Sequence, residues 1–442
     1  MARCSAWTRN PPFLCEREAV DGSEHCIAHK ERVTAEEERA FAKLVSEMLH
    51  AKNYNFAGFV FPKVFEAFAD QTLGSDASFR HARFSGNALF RDSKFGGGAD
   101  FGEAVIKGDA NFKHCEIAGD AVFEGATIEG SALFTKARIG GKVLFGNASV
   151  KGTASFGSMM AHSVDFSNAT VSGYSVFARA NIQGDVFFHR TRFQDDISFV
   201  DAEVTGEAHF DFAVFGRGAT FWNAGFRRLV SYWGCQFHGD AKFWNVRFGG
   251  GLNLGQAVFK GPVSFSGAEP PPSGNFEGLI APRGRGESVY RLAKQVSQRT
   301  GQYREAGDWH YMERCDAWHS RMFPRENLVW ANPLNWAEYV LGRLAFGYGE
   351  RPLRVLCACA AGVLVYALFY YLTGAVTLRS GKCAGLSESL LLSVAAFVRY
   401  GFKQFQLAPG DFADYVVASE VVIGTALISL FLVVMVKRWG RG

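Results

Sequence analysis

Four residues near the amino end have the types and the spacing to hold a metal. Cys4, Cys15, Cys26 and His29 follow the pattern Cys-x10-Cys-x10-Cys-x2-His. Three thiolates and one imidazole form a closed tetrahedral set, which suits structural zinc better than a catalytic ion that keeps a coordination position open. Cys26 and His29 make the tight pair, and His25 is an alternative imidazole donor. Two other readings compete. Thiols in a disordered tail would leave a short segment containing Pro11-Pro12 with nothing to fold around. A nucleic-acid contact through Arg3, Arg9, Arg17 and Lys30 has no aromatic stacking platform beyond Trp7.

A second group lies near the carboxyl end. Val398, Arg399, Tyr400, Gly401, Phe402, Lys403 and Gln404 follow an apolar stretch, Leu386 to Val398, that is too short to cross a bilayer. Longer apolar stretches flank it, Leu353 to Thr373 and Tyr415 to Val436 (interrupted by Glu420), and each is long enough to span. The short one reads as re-entrant. Arg343, Arg351 and Arg354 precede the first span, and Lys437, Arg438 and Arg441 follow the second, which predicts cytosolic N- and C-termini. Span, half-helix, loop, span resembles the two-transmembrane pore-loop channels. Ser389 to Gln404 resembles their pore helix and filter. Glu420-Val-Val-Ile-Gly424 resembles the stretch opening their inner helix, which makes Glu420 and Gly424 candidates for a gating hinge. The resemblance implies ion transport by a homo-oligomer, a tetramer in that family. It departs from the potassium pattern where selectivity resides. Val398 and Arg399 stand where threonines belong, and Lys403 and Gln404 replace Gly-Asp. A filter so altered is expected to prefer anions or to select weakly. The alternative is an interfacial hairpin on two anchoring spans, with Arg399 and Lys403 snorkelling to headgroups.

No nucleophile–base arrangement, phosphate loop or paired carboxylates stand in a plausible cleft, so no enzyme is expected. The 442 residues exceed one core and predict several domains. Nine irregularly spaced cysteines and the absence of an apolar amino-terminal run predict a reducing compartment and no secretory signal.

Most of what lies between these groups is a repeat. From Ala77 to Ala268, Phe or Ile recurs at alternate steps of five and six residues, as at Phe79, Phe84, Phe90, Phe95, Phe101 and Ile106. Small residues sit two places earlier, at Ala77, Ala82, Ala88, Ala99 and Ala104. One deletion falls between Phe156 and Phe166. A period of five fits neither a helix nor a long strand, so each unit is a short side followed by a corner. This pattern resembles the pentapeptide-repeat family. The resemblance implies a right-handed quadrilateral β-helix solenoid with Phe rings in its bore. Glycine marks the longer step, at Gly86, Gly97, Gly108, Gly119 and Gly130, as expected of corners needing positive φ. About 22 residues per coil predict eight to nine coils, a rod of about 40 Å.

The expected organisation is therefore multi-domain, a β-helix followed by an α-helical two-transmembrane domain. The zinc module is 1–32, a capping helix and irregular first coil 33–76, and the solenoid 77–268. A Pro-rich linker with juxtamembrane helices covers 269–351, and the pore-loop domain 352–442. The linker helix is expected to break near Gly301 and Gly307. Some pentapeptide-repeat proteins mimic DNA, but 19 Lys and Arg against 17 Asp and Glu between Phe79 and Ala268 give no acidic face. Nucleic acid is not an expected partner. Trp222, Trp233 and Trp244 point outward, toward the linker helices, a subunit interface or a cytosolic protein. The expected location is the inner (plasma) membrane, multi-pass, with the lipid bilayer and further copies of the chain as partners. The leading function is an oligomeric channel with a cytosolic repeat domain; the alternative is a membrane-tethered scaffold without conduction.

Overall fold

The structure is a computed structural model that describes residues 7–9, 12–15, 17, 24–31, 34–322, 333–374, 376–378, 384–399, 405–407 and 411–439. It divides into two compact units, Met1–Thr300 and Gly301–Gly442.

The first unit is a four-walled β-solenoid. Two walls carry ten parallel strands and two carry nine, most strands being two residues long. Register is a full coil: Ala99 pairs with Ala121 and Val105 with Thr127, each 22 residues on. The walls begin at Val60 and end at Asn275, about ten coils: the eight to nine expected over 77–268 and the irregular first coil expected before them. The end coils lie outside the strict Ala-x-Phe repeat, where the ladder continues beyond the small-residue signal. The deletion sits in one corner. Arg138 pairs 22 residues on with Met160, but Lys142 pairs 21 on with Ser163, so His162 alone turns that corner.

Inside, the rings form two columns set at right angles. Phe79 stacks on Phe101 at 4.6 Å and Phe101 on Phe123 at 4.9 Å, one ring per coil. The opposite column stacks alike, Phe90 on Phe112 at 4.9 Å, and meets the first edge-to-face, as at Phe101–Phe112, 5.1 Å. The stacking distance is set by the strand spacing of about 4.8 Å, and the edge-to-face partner column satisfies the ring quadrupoles. Ala77, Ala82, Ala88 and Ala99 are buried beside the rings and leave them room.

The corner glycines are needed for a reason other than positive φ. Left-handed residues occur two places after the stacked Phe and are of many types: His81 (φ 58°), Asp92 (58°), Glu103 (57°), Asn147 (59°). Gly108, Gly119 and Gly130 take ordinary φ, and their N–H groups donate to Gly86, Gly97 and Gly108 one coil earlier at 3.0 Å. A Cβ on Gly130 would come within 2.6 Å of the Gly108 backbone. These glycines permit close approach of successive coils. Beside them a vertical ladder forms, in which Asp76 and Asp120 accept from the backbone N–H of Gly98 and Lys142, 22 residues on.

Amide direction alternates between wall pairs. In two opposite walls the first N–H of each strand points to the preceding coil, as in Arg83 to Phe59 and Lys94 to Gln71. In the other two the first amide of each strand points to the following coil, as in Ala77 to Gly98 and Ala88 to Asp109, while the second reverses it, as in Ser78 to Tyr54.

Helices close both ends. Helix α1 (Ala35–His50) starts with a capping box between Thr34 and Glu37 and buries Phe41, Val45 and Met48. Phe41 meets Phe61 at 5.5 Å and Phe65 at 5.4 Å, which covers the first coil. Helix α2 (Glu287–Arg299) buries Val289, Leu292, Ala293 and Val296. The Ser288 hydroxyl donates to the Val263 carbonyl at 3.0 Å, in the last complete coil. Each cap hides apolar rings that an open solenoid end would present to water.

In the second unit, helix α3 (Tyr303–Met322) runs unbroken through Gly307, which is buried within it. The expected break occurs only near Gly301, because one interior glycine costs a helix about 1 kcal/mol and packing outweighs that. A helical turn, Pro333–Ala337, continues into the π-helical Glu338–Ala345. Helix α4 (Pro352–Thr373) begins at a proline that needs no N–H partner, and ends at Gly374 with φ 62°. Helix α5 (Leu386–Phe397) is short, and helix α6 (Asp411–Trp439) is long. Within them Pro352–Thr373 and Asp414–Val436 are long and apolar enough to cross a membrane.

Candidate functional site

The metal-ligand candidates converge at the amino end. Cys15, Cys26 and His29 are all buried, and their donor atoms lie within 4.8 Å of one another. Cys15 Sγ is 3.8 Å from Cys26 Sγ, and Cys26 Sγ is 3.3 Å from His29 Nδ1. Two thiolates bound to one ion at about 2.3 Å with tetrahedral angles stand about 3.8 Å apart, so the sulfur pair already has the edge of such a site. A disulfide would need about 2.05 Å. Burial holds His29 down at about 4, partly offset by its hydrogen bond to the Ala57 backbone, and Arg17 lowers it further. The ring therefore stays neutral, the form that ligates metal. Cys4 lies outside the described residues. The turn that makes the site, in which His29 N–H donates to Cys26 carbonyl at 3.0 Å, is the tight Cys-x2-His seen in the sequence.

The second site is built on α4, α5 and α6. Helix α5 has 12 residues, about 18 Å, roughly half of what a bilayer requires. It packs between the two longer helices. The Glu420 carboxylate, fully buried, accepts from Tyr370 O–H at 2.6 Å and from the Ser393 hydroxyl. The Val363 carbonyl, 2.9 Å from the Ser393 hydroxyl, is a second acceptor for its single proton. One carboxylate on α6 thus joins α4 and α5. Tyr366 and Ser419 add a hydroxyl pair at 2.9 Å. Gly424 lies against Phe397, where a Cβ would come within 2.7 Å of the Phe397 carbonyl, and α6 continues through that glycine without a break.

The chain returns where it left. Val376–Leu378, just after α4, pairs antiparallel with Phe405–Leu407, just before α6, Val376 opposite Leu407. Both ends of the α5 excursion therefore lie together. Val398 and Arg399 follow α5, both exposed, Arg399 with φ 57°. Tyr400, Gly401, Phe402, Lys403 and Gln404 lie outside the described residues. Sequence reasoning singled out Glu420 and Gly424 but not Tyr370 or Ser393. The readable signal is Ser389 and Ser393, a polar pair four residues apart on a helix that is apolar after its first turn.

Leading into α4, arginines knit α3 to the turn before the span. Arg351 pairs with Asp308 at 3.2 Å, and Arg354 donates to Tyr311 Oη at 2.8 Å. Arg314 and Arg321 both reach Glu338. Burial, with Glu338 next, pushes Tyr348 up to about 12.

On the solenoid, Trp222 and Trp244 occupy the same corner in consecutive coils, and Trp233 the diagonal one. All three are exposed by two fifths or more. Trp244 donates to Ser264 Oγ at 2.8 Å, and Trp233 meets Phe212 at 4.8 Å.

Residues 72–116 and 112–160 match the family described as pentapeptide repeats (9 copies), so the solenoid carries pentapeptide repeats. No curated protein and no solved structure matches the chain.

Proposed function

We propose that the chain is one subunit of an oligomeric ion channel of the inner (plasma) membrane. Its pentapeptide-repeat solenoid would be cytosolic, and a zinc-stapled segment would close the solenoid's amino end. The observation that carries this reading is the short α5, held between two span-length helices by Glu420, Tyr370 and Ser393. A buried carboxylate in an apolar hairpin is costly and points to function rather than to anchoring. Conduction would need several copies around an axis, with residues 398–404 facing it. Arg399 and Lys403 in every copy would disfavour cations. Purified protein in planar bilayers tests this: current is expected, and Lys403→Glu should move the reversal potential toward that of the cation. Silence at all voltages, with the protein shown to be inserted, rejects the channel and leaves the membrane-tethered scaffold. The exposed Trp222, Trp233 and Trp244 supply that second reading with contact residues.

A further inference from the structure

The metal-ligating segment is fastened to the first coil and its cap at four places. The Ala28 carbonyl, between Cys26 and His29, accepts from Val60 N–H at 2.8 Å. The His29 ring meets Phe59 edge-on at 5.6 Å. The Arg17 guanidinium lies 5.0 Å over Phe59 and reaches Met48 Sδ of α1 at 3.4 Å. Lys30 pairs with Glu37, in the first turn of α1, at 2.6 Å.

Val60–Phe61 is the terminal strand of a ten-stranded wall. On that wall the first amide of each strand points to the preceding coil, as in Arg83 to Phe59 and Val105 to Ala82, and Val60 has no preceding coil. Ala28 takes the missing coil's place. Unpaired terminal strands are templates for pairing with another chain, and proteins cover them. What holds the cover here is a segment too short and too polar to pack alone, with three donor atoms gathered at its centre.

We infer that the Cys15–Cys26–His29 site is a metal-operated lock on the end of the solenoid. The bound ion keeps Ala28 over the strand edge, and its loss releases that edge to pair with a second copy of this chain. The inference rests on the zinc reading above. It is independent of whether the chain conducts ions. Metal binding to thiolates and imidazole organises segments that otherwise do not fold, and the energy appears wherever the segment is docked.

Full-length protein in detergent micelles, loaded with Zn2+ and then stripped with a chelator, supplies the test. Amide hydrogen exchange at Val60 should accelerate by about tenfold, the scale of one lost hydrogen bond, while Phe123 and Phe134 in mid-solenoid stay unchanged. The particle mass should rise toward multiples of the loaded species and return when Zn2+ is restored. Cys26→Ser should behave as permanently stripped. Val60→Pro removes the N–H without touching a ligand, so it should bind zinc yet stay at the loaded mass after stripping. Zinc bound with identical Val60 exchange in both states overturns the lock. Faster exchange with no change of mass overturns the pairing. Failure of the wild type to bind zinc at all removes the metal reading beneath both.

Discussion

Replacing Glu420 by Gln asks whether one carboxylate holds the short helix in place. Glutamine keeps the volume but offers a single acceptor oxygen. The Tyr370 and Ser393 hydroxyls, which now donate to separate oxygens, must then share it or lose a partner. A side-chain hydrogen bond between membrane helices contributes about 0.6 kcal/mol on average and up to about 1.7, and a buried hydroxyl left without a partner costs about 1–3 kcal/mol. The expected loss is about 1–3 kcal/mol. It should divide unequally, because Ser393 also has the Val363 carbonyl at 2.9 Å. Denaturant titration in detergent of Glu420→Gln, Tyr370→Phe, Ser393→Ala and the double variants reads the couplings directly. Tyr370 with Glu420 should couple by about 0.6–1.7 kcal/mol, and Ser393 with Glu420 by less. If the Tyr370 and Glu420 changes add within about 0.3 kcal/mol, the carboxylate does not join α4 to α6 and the reasoning fails.

Tyr232 occupies a Phe place in the bore with its hydroxyl buried and unpartnered, so Tyr232→Phe should stabilise the surrounding coils by about 1–2 kcal/mol, read as slower local amide exchange. Gly130→Ala should weaken the solenoid by about 1–3 kcal/mol, because the added Cβ meets the Gly108 backbone, whereas Asn147→Gly, at φ 59°, should be close to neutral; thermal melts of the two variants should separate. Burial pushes the Cys115 thiol up to about 12, so iodoacetamide at pH 8.5 should leave it unlabelled in native protein and label it after unfolding. In metal-free protein, burial holds His29 down at about 4 against an ordinary 6.5, so folding favours the neutral ring. That contribution is complete above pH 6.5 and declines as pH falls toward 4; His29→Gln should remove this part of the slope in melts followed between those limits.

The solenoid was legible because its determinants are local and repeated. Phe79, Phe90 and Phe101 must face inward at that spacing whatever surrounds them, and Thr34 with Glu37 announces α1 within four residues. Its ends were less legible. Val60–Phe61 and Gly274–Asn275 pair by continuing their neighbours' ladder, and their own residues carry little of the repeat. Gly130 stands out in the sequence by its position, but the reason for it, close approach to Gly108, is a contact across 22 residues that no local pattern shows. In the apolar α4–α6 hairpin, lengths were readable and partners were not. Glu420 meets Tyr370 across 50 residues and Ser393 across 27, distances at which no local pattern specifies who donates. Cys15, Cys26 and His29 stood between these cases, because ligand chemistry restricts the pairing even when the backbone does not.

The opposed amide directions of neighbouring walls have an electrostatic consequence. In an α-helix peptide dipoles add along the axis and leave partial charge at each end. Here the amides that open each strand point toward the amino end in one wall pair and toward the carboxyl end in the other, and the next amide in each strand reverses its neighbour, so the axial sums largely cancel. Lengthening the rod by a coil therefore builds up little end charge, and coil number is free to set how far the amino-terminal tip stands from the last coil.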